Sequence, residues 1–539
     1  MNDPEAMRAA VAARAAERQI EVAQAPPVQL TESVIIRCEQ ENYLGDAKIF
    51  AHIHRGKIMY VKLTARWYLW TGHYWKYDID GKKTLSLIDL VAQEYLRVAW
   101  ILRDRIKDPR TSEDERKNLE NNLSSLLARA KRVRGKDRKG ILEYCHEGEA
   151  SLAIEGTELD SDPWLLGTGN GVVDLRTLEH RPGRPSDYIT ITTAVEWQGF
   201  DADATPFMEF LSHMLEDNED LVAFVLRFLG MALFAGQREH VFLVLFGEGG
   251  RNGKDTLMSI LGDVLGDKMC GPIRPEMLME QHFIRDATKP APEIKELQGK
   301  RIVYASESGK RHKFDAEQVK RFTGGGRESA RGLLENHMTT WERTHTLILL
   351  TNELPGAPAD DESFWDRMHG IELKRRYVDS PDPNKPNEFP KDPDMRNKMR
   401  ACLPGILACL VKAFGDYLVQ GLHPPPEVTA FGKAYRKDED LIGRFLDDCC
   451  MLHEGKEAGK TQAKRLYDCF YWWYVNNIAK RVLVTQTRFS RDMKKKGFES
   501  RKISNNHYMG VTITPETEAE WDASPVDEKS GRKGGNRDG

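Results

Sequence analysis

The spacing of hydrophobic positions changes several times along the chain, and each change marks a predicted region. Short apolar runs typical of strands occupy Glu32 to Asp80 and Asp162 to Thr190, whereas apolar residues recur at helical spacing from Leu85 to Leu127. This order predicts an α+β domain over residues 31–200. An apolar pair of helices is expected from Phe207 to Phe234, directly before the central part of the chain.

The central part contains β-prone runs that each end in a turn or a polar residue. Val241 to Phe246 leads through glycine-rich residues into an amphipathic segment beginning near Thr256, which is the order of a strand, a loop and a helix. Further strands are expected at Arg301 to Ser306, Thr346 to Thr351 and Gly370 to Leu373. The repetition of strands and helices predicts an α/β domain with a parallel sheet over residues 201–378.

The C-terminal part reads as a linker and helix over residues 379–432, then as three helices and two strands over residues 433–515. The latter order is typical of a winged helix. The two ends, residues 1–30 and 516–539, are rich in charged and small residues. We expect a disordered or helical arm at the first and a disordered tail at the second.

Composition excludes few classes of function. The 539 residues carry a net charge of −4, so any nucleic-acid contact must come from local patches. The eight cysteines form no C-x-x-C pair, which indicates a reducing, cytoplasmic environment and no zinc ribbon. No apolar run reaches the length of a membrane span, which predicts a soluble protein without a membrane partner.

The glycine-rich stretch GEGGRNGKDT has the features of a phosphate-binding loop. Glycines let backbone N–H groups converge on phosphate oxygens, the helix start adds a partial positive charge, and Lys254 adds a full one. The strict pattern has Gly where Glu248 stands and Ser or Thr where Asp255 stands, with Gly247 and Thr256 each one place away. An ordinary glycine-rich surface turn is the alternative.

Three polar residues after the loop stand where nucleotide hydrolysis needs them. Glu307 follows the next strand and can hold Mg²⁺ or an attacking water, and Asn352 ends the third strand and can reach a γ-phosphate. Arg367 precedes the fourth strand and can enter a neighbouring subunit's site to stabilise phosphoryl charge. Singly these are a solvated acid, a turn cap and a surface arginine, but their order and spacing favour a composite site.

Other features have an ordinary explanation that we prefer or leave open. Gly167 to Gly171 is followed by a strand-like run, which predicts a hairpin turn and no nucleotide site. The aromatic cluster from Trp67 to Trp75 is interpreted as core rather than a stacking platform. The basic run from Lys131 to Lys139 stays open between a solvated loop and a DNA-phosphate contact.

Six stretches resemble, in order, the superfamily 3 helicase module of phage, plasmid and poxvirus-type primase-helicases. They are DPWLL…NGVVDLRT (Asp162 to Thr177), the GEGGRNGKDT loop, LQGKRIVYASES (Leu297 to Ser308), KRFTGGGRESARGLL (Lys320 to Leu334), LLTNELP (Leu349 to Pro355) and SFWDRM (Ser363 to Met368). The resemblance implies an AAA+-like P-loop ATPase core that uses ATP and Mg²⁺. It also implies a ring, expected to be a hexamer, that acts on single-stranded and forked DNA in a bacterial host's cytoplasm.

Carried over by position, the family pattern assigns roles to individual residues. It implies that nucleotide phosphates are bound by Gly247, Gly249, Gly250, Asn252, Gly253, Lys254, Asp255 and Thr256. Thr256 and Glu307 are the implied Mg²⁺ ligands, with Glu307 as the Walker B acid. Asn352 is the implied sensor and Arg367 the finger acting in trans. Asp255 is either an indirect metal partner or an acid favoured by the helix dipole.

The resemblance also predicts two DNA contacts. Thr323 to Trp341 is expected to form a hairpin that projects into a central channel, with its tip around Glu335 to His337. Its predicted DNA-binding residues are Arg327, Arg331, His337 and Arg343. The third C-terminal helix is expected to bind duplex DNA through Arg488, Arg491, Lys494, Lys495 and Lys496. An exposed hairpin and a solvated packing module are the respective alternatives.

These patterns favour an ATP-driven DNA-unwinding motor in replication of a phage, plasmid or integrated mobile element, with a polymerase or primase as a possible partner. A primase, or a primase-helicase with priming activity, is one alternative, although the residues before Asp160 show no clear set of paired metal-binding carboxylates. An origin-binding scaffold with a weakened ATPase is the other, supported by Glu248 and Asp255.

Overall fold

The computed structural model describes residues 30–148, 151–281, 291–306, 312–332, 338–453, 459–478, 484–502 and 505–524. The chain divides into two units. One lies within residues 1–202 and 263–269, and the other within residues 203–262 and 270–539. The first division is close to the boundary predicted at residue 200. The predicted N-terminal arm, apart from its last residue, lies outside the described residues.

The first unit mixes helices with small sheets, as expected for an α+β domain. Its helices are α1 (Glu32–Gln40), α2 (Tyr43–His54), α3 (Lys82–Leu87), α4 (Asp89–Ile106), α5 (Glu113–Arg134) and α6 (Arg138–Tyr144). Its strands are β1 (Ile58–Val61), β2 (Arg66–Trp70), β3 (Trp75–Tyr77), β4 (Ala153–Ile154), β5 (Leu165–Thr168), β6 (Gly171–Asp174) and β7 (Glu179–Arg181). They form sheets in the orders β3-β2-β1-β4 and β5-β6-β7.

The segment from Glu32 to His54 forms α1 and α2, so the prediction of short strands there is wrong. The run from Val34 to Ile36 is β-prone by residue type. Ile35 and Cys38, one helical turn apart, are nonetheless the buried members of α1, and the Thr31 hydroxyl accepts a hydrogen bond from a backbone N–H of the first turn. Burial of one helical face and a capped start therefore outweigh the local strand preference.

The helices predicted between Leu85 and Leu127 are confirmed as α4 and α5, and a buried ion pair ties α5 to α2. The Arg129 guanidinium pairs with Asp46 and lies 3.3 Å from the Asp137 carboxylate, and the Tyr95 hydroxyl donates to Asp46 at 2.7 Å. Burial raises the pKa of the Asp46 carboxyl, against the opposing effect of Arg129. Because a buried charge without partners is costly, these groups fix how the helices pack.

Three smaller predictions in this unit can be compared with the structure. Thr168 pairs with Gly171 across an antiparallel turn, which confirms the hairpin. Trp67 and Trp75 are buried, as expected of core residues. The basic run lies on the last turn of α5 and the start of α6 rather than in a loop, and its contact with DNA stays a prediction.

The second unit is built on a parallel five-stranded sheet in the order β14-β8-β13-β10-β9. These strands, with the hairpin β11–β12 between them in sequence, are β8 (Phe242–Phe246), β9 (Cys270–Ile273), β10 (Ile302–Ser306), β11 (Arg327–Ala330), β12 (Thr339–Glu342), β13 (Thr346–Thr351) and β14 (Met368–Glu372). The predicted strands of the central part are thus confirmed. Because the strands are parallel, their carboxyl ends all emerge at one edge of the sheet.

Helices surround this sheet, and the predicted pair before it is confirmed. They are α7 (Thr205–Met214), α8 (Glu219–Met231), α9 (Lys254–Leu265), α10 (Pro292–Lys295), α11 (Ala316–Thr323), α12 (Glu362–Trp365), α13 (Met395–Arg400), α14 (Leu403–Gln420) and α15 (Pro426–Glu439). Two short parallel strands, β15 (Arg376–Val378) and β16 (Glu388–Pro390), pair across the start of the predicted linker.

Helix α14 is long and apolar enough to cross a membrane, which corrects the prediction that no run reaches that length. Half of its apolar window is buried, and its partner is α8. A Cβ on Gly230 of α8 would lie 2.5 Å from the backbone nitrogen of Phe414, so the two helices approach as closely as a glycine allows. A helix packed in a protein core can have the same length and apolar composition as a membrane-spanning helix.

The C-terminal module comprises the described residues from Leu441 to Ser524. Its elements are α16 (Leu441–Cys449), β17 (Cys450–Leu452), β18 (Lys460–Gln462), α17 (Ala463–Asn477), α18 (Gln486–Lys495), β19 (Ser500–Lys502), β20 (Asn506–Met509), β21 (Val511–Ile513) and α19 (Pro515–Ala523). The three predicted helices and the final strands are present. Phe445, Phe470 and Phe489 join the helices in one apolar core.

Two predicted boundaries of this module need correction. Residue 433 lies inside α15, which belongs with the sheet, because a Cβ on Gly370 of β14 would lie 2.0 Å from the Phe431 ring. Residues 516–523 belong to α19 rather than to a disordered tail, since Trp521 is buried in the core of the C-terminal module. The rest of the predicted tail lies outside the described residues.

Candidate functional site

The glycine loop, Gly247 to Gly253, follows β8 at the carboxyl edge of the five-stranded sheet. Gly249, Gly250, Arg251 and Gly253 have φ angles of 71°, 69°, 60° and 89°. Residues in this left-handed region turn successive N–H groups toward one side, and such groups form a concave anion-binding surface. The backbone is therefore compatible with a phosphate loop, and phosphate binding stays a prediction.

The segment after β14 holds the glycine loop in this shape. The Asn252 side-chain amide donates to the carbonyls of Leu373 and Arg375, at 2.9 and 3.0 Å. The Tyr377 backbone N–H donates to the Arg251 carbonyl at 2.9 Å. Asn252, predicted to bind nucleotide, is only 1% exposed and turns its side-chain amide to the protein. Its side chain thus fixes the loop in this structure.

Lys254 and Asn352 are brought together as the composite site predicts. The Lys254 ammonium donates to the Asn352 side-chain oxygen at 2.5 Å, although 98 residues separate them in sequence. A Cβ on Gly250 would lie 3.6 Å from the same oxygen, so the glycine loop passes directly over this pair. Lys254 is only 4% exposed, and a cation held at this depth acts in a less screened environment than one at the surface.

Glu307, predicted to be the metal-binding acid, lies outside the described residues. Strand β10 ends one residue earlier, at Ser306, and Ser306 pairs with Leu350 of β13. The end of β10 is therefore adjacent to the strand that carries Asn352, at the same edge of the sheet. The role of Glu307 stays a prediction.

The first turn of α9 begins with Lys254 and contains the two residues that depart from the strict pattern. Asp255 is exposed and Thr256 is half-buried. The helix dipole favours an acid in the first turn of a helix. The presence of Asp255 at this position can therefore be explained without a metal ion. Thr256 is the residue of this turn whose hydroxyl could bind a metal ion.

Arg367 lies at the other end of the sheet. Its carbonyl accepts a hydrogen bond from the N–H of Phe242, the first residue of β8, at 2.8 Å, whereas the glycine loop follows the last residue. Its guanidinium donates to the Thr323 hydroxyl at 3.2 Å. A five-residue strand separates the two ends by roughly 13 Å at 3.3 Å per residue. Arg367 therefore lies away from Lys254 of its own chain.

Arg376 was not predicted, yet it flanks the glycine loop on the side opposite Asn352. A Cβ on Gly249 would lie 3.6 Å from the Arg376 guanidinium carbon. The Arg376 guanidinium forms an ion pair with Glu388, in which Nη1 lies 3.5 Å from the carboxylate oxygen, while its buried Nε has no hydrogen-bond partner among the described residues. The sequence signal was the run of cations from Lys374 to Arg376 after a strand end.

Helix α7 packs against the base of the glycine loop. A Cβ on Gly253 would lie 3.3 Å from the Phe210 ring and from the Met214 sulfur. The His213 ring and the Tyr377 hydroxyl are hydrogen-bonded at 2.8 Å. Burial lowers the pKa of His213 and raises the pKa of Tyr377 to about 12, so both groups are neutral near pH 7. The helical pair before the sheet therefore supports the loop.

The predicted DNA hairpin exists as β11 and β12, and its cations differ in environment. Arg327 is exposed and binds Glu342 at 2.8 Å, while Arg331 is half-buried. Arg343 is nearly buried, binding Glu328 at 2.9 Å and the carbonyls of Arg321 and Gly324. Arg343 thus fastens the base of the hairpin. The predicted tip, including His337, lies outside the described residues.

The cations predicted on the third C-terminal helix lie on or next to α18, and two of them are paired with acids outside the C-terminal module. Lys495 binds Asp360 and Lys496 binds Asp440. Arg488 lies 3.7 Å from Asp492 on its own helix. Arg491 and Lys494 are exposed, and their contact with DNA, like that of the others, stays a prediction.

The chain is similar to one protein family and to several viral proteins named helicase or primase. The family described as D5 N terminal like matches residues 47–216. The chain is 26% identical over 427 residues to "Putative helicase L207/L206" of Acanthamoeba polyphaga mimivirus, covering 76% of this chain and 43% of that protein. It is 25% identical over 430 residues to "Putative primase C962R" of African swine fever virus (strain Badajoz 1971 Vero-adapted), with the same two coverages. These matches support a primase-helicase family of the superfamily 3 helicase type.

The chain spans about 43% of the length of these two relatives. A further relative is "Putative helicase 121R" of Invertebrate iridescent virus 3, 23% identical over 379 residues, covering 64% of this chain and 38% of that protein. Among solved structures, the A form apo structure of the NrS-1 C terminal region has a TM-score of 0.47 and 12% identity. It covers 88% of this chain and all of that one.

Proposed function

We propose that the chain is an ATP-dependent DNA-unwinding motor that acts in the replication of a virus or another mobile element. The observation that carries the proposal is the Lys254–Asn352 contact beneath the glycine loop. A strand end, a loop with left-handed residues and a deep cation are together the elements of a γ-phosphate site. The relatives named helicase or primase support DNA as the partner.

The residues at the sheet edge fit a nucleotide with Mg²⁺. Thr256 in the first turn of α9 and Glu307 after β10 would hold the ion, which would neutralise charge on the phosphates. Within the described part of the chain no cluster of three or more His, Cys, Asp or Glu side chains could hold a metal by itself. Mg²⁺ commonly takes one or two carboxylates and completes its shell with phosphates and waters.

Each side chain has a stated task in the proposed reaction. Lys254 binds the γ-phosphate and Asn352 orients the Lys254 ammonium or the attacking water. Arg376 approaches the phosphates from the β14 side of the glycine loop. Its ion pair with Glu388 is long, at 3.5 Å, so a phosphate oxygen could take the place of the carboxylate. Its cation would complement that of Lys254.

The position of Arg367 supports the proposal of a ring. Because Arg367 lies at the amino end of β14, it is suited to the site of a neighbouring subunit rather than its own. We propose a hexamer, with single-stranded and forked DNA as substrate, the β11–β12 hairpin as the single-strand contact and the C-terminal module as a winged helix for duplex DNA. The eight cysteines, all within the described residues, form no disulfide, and we propose the cytoplasm of the host cell as the place of action.

A priming activity is the second candidate, because one of the relatives is named a primase. A fork-unwinding assay with ATP, run beside a primer-synthesis assay with nucleoside triphosphates and a single-stranded template, separates the two. We expect unwinding by the wild-type chain, none by Lys254→Ala, and no primer product from either. Primer synthesis that survives in Lys254→Ala, without unwinding by the wild type, would replace the motor with a primase.

A further inference from the structure

A basic cleft lies between the sheet-bearing part of the second unit and α18. We call it the α15–α18 cleft; its walls are the segment from Ala357 to Asp360, the end of α15, the start of α16, and α18. Its volume is about 1080 Å³. The basic residues that line it are Lys313, Lys433, Arg436, Lys437, Arg488, Arg491, Lys495 and Lys496. The acidic residues that line it are Asp360, Glu439, Asp440 and Asp492.

Among the described residues, two ion pairs join α18 and the residue after it to the opposite wall of this cleft. Lys495 binds Asp360, with about half of each side chain exposed, and Lys496 binds Asp440, with about 30% of each exposed. Asp440 has a second task, because its other oxygen accepts the Gly443 N–H at 2.9 Å and caps α16. Exposed ion pairs of this kind are weak enough for a competing anion to replace the carboxylate.

Apart from the two ion pairs, the basic residues that line the cleft outnumber the acidic ones. Arg491 and Lys433 are exposed and form no ion pair with any described residue. Burial raises the pKa of the Glu439 carboxyl, and its oxygen accepts the Ala357 N–H at 2.9 Å, so this acid is engaged by the wall itself. Lys313 and Lys437 pair with Glu280 and Asp447 outside the lining, at 2.8 and 4.0 Å, and the bases still outnumber the acids. Such an excess attracts a polyanion, and closely spaced lysines and arginines suit successive phosphates.

We propose that the α15–α18 cleft binds the phosphate backbone of DNA, and that Asp360 and Asp440 occupy the phosphate positions until DNA replaces them. The choice of DNA as the polyanion rests on the proposed function. The cleft differs from the exposed wing strand β19, where Arg501 and Lys502 face solvent. DNA bound here would contact α18 through the side chains that now hold the module against the sheet-bearing part.

The test is DNA binding by the full chain without nucleotide. Fluorescence anisotropy with a labelled 20-nucleotide oligo(dT) and a labelled 20-base-pair duplex is measured over a range of salt concentrations. Asp360→Asn/Asp440→Asn should bind about 2- to 30-fold tighter, which is the strength of two exposed ion pairs. Asn is as good a helix cap as Asp, so α16 keeps its start. Lys495→Ala/Lys496→Ala should bind more weakly.

The salt dependence gives a second readout for the lysine variant. Loss of two phosphate contacts should reduce the slope of log K against log salt by about 1.4 for the single strand or about 1.8 for the duplex. The matched control is Asp392→Asn/Glu518→Gln, which removes the same charge from surface ion pairs with Lys398 and Arg465, outside the cleft. This control should bind DNA as the wild type does.

An acidic double variant that binds DNA no tighter than the control would overturn the proposal. Tighter binding of polyglutamate but not of DNA would assign the cleft to an acidic protein and would overturn it as well. These outcomes are separate from a failure of the motor, because no ATP is present. ATP hydrolysis measured on the same preparations reports on the glycine loop alone.

Discussion

The edge of the five-stranded sheet and the exposed face of α18 both concentrate positive charge, but they hold it differently. At the sheet edge, Lys254 is almost fully buried, touches Asn352 and lies under a loop whose shape is fixed by backbone hydrogen bonds. On α18, Lys495 is half exposed and is paired with a surface acid. Under the proposed function, the first arrangement is preorganised for one small ligand, whereas the second exchanges one anion for another.

The difference predicts two kinds of sensitivity. Substitutions at the sheet edge should abolish chemistry at any salt concentration, because the groups act in a protected environment. Substitutions on α18 should change affinity by modest factors that depend on salt. Variants of other arginines in the second unit test this difference.

The largest effect is expected for Arg367→Ala. If Arg367 acts in a neighbour's site, this variant should bind ATP but hydrolyse it about 10³-fold or more slowly. Mixing it with Lys254→Ala should restore part of the activity, because one subunit then supplies an intact loop and the other an intact finger. Steady-state phosphate release measures this, with Arg465→Ala, a surface arginine of the C-terminal module, as control. No rescue at concentrations where the ring assembles would refute action in trans.

The β11–β12 hairpin provides two arginines for comparison, one in a nearly buried ion pair and one in an exposed ion pair. Arg343 is nearly buried with Glu328, and Arg321 still pairs with Glu328 when Arg343 is removed, so Arg343→Ala should lower the free energy of unfolding by roughly 1.5–3 kcal/mol. Arg327 forms an exposed pair with Glu342, and Arg327→Ala should change it by less than about 1 kcal/mol. Urea unfolding followed by tryptophan fluorescence compares the two. An equal loss of free energy of unfolding in the two variants would show that burial does not determine how much each arginine contributes to stability.

A smaller effect is expected for Arg376→Ala. A charged hydrogen bond to phosphate contributes roughly 1.5–3 kcal/mol, which is about a 10- to 150-fold loss in ATP affinity. Arg376→Lys should retain part of the affinity, because it keeps the charge without the second donor. Fluorescent-nucleotide titration measures this, with Lys374→Ala, two residues earlier and exposed, as control. If Lys374→Ala weakens binding as much, Arg376 has no special role.

Much of the sheet edge could be predicted from sequence because its determinants are local. The β-prone runs gave β8, β10, β13 and β14, and the residues at their ends identified Lys254 and Asn352. Arg376 was missed because its approach to Gly249 depends on how β14 pairs with β8, which sequence spacing does not specify.

The environments of the basic residues could not be predicted in the same way. The acids that bind Lys495 and Lys496 are 135 and 56 residues away in sequence, so a basic helix looked fully exposed. Arg343 was predicted to face the DNA channel because the residues next to it in sequence do not indicate its contact with Glu328 across the base of the hairpin. Residues 32–54 were mistaken for strands because residue type was weighed above helical spacing.

The measurement that tests the central claim most directly is ATP hydrolysis stimulated by single-stranded DNA, in the wild type and in Lys254→Ala. Lys268→Ala, an exposed lysine beyond α9, is the control, and a thermal melt verifies that each variant is folded. We predict stimulated hydrolysis in the wild type and the control and its loss, by at least about 100-fold, in Lys254→Ala. Hydrolysis at the wild-type rate in folded Lys254→Ala would contradict the assignment of the glycine loop as the site of ATP hydrolysis.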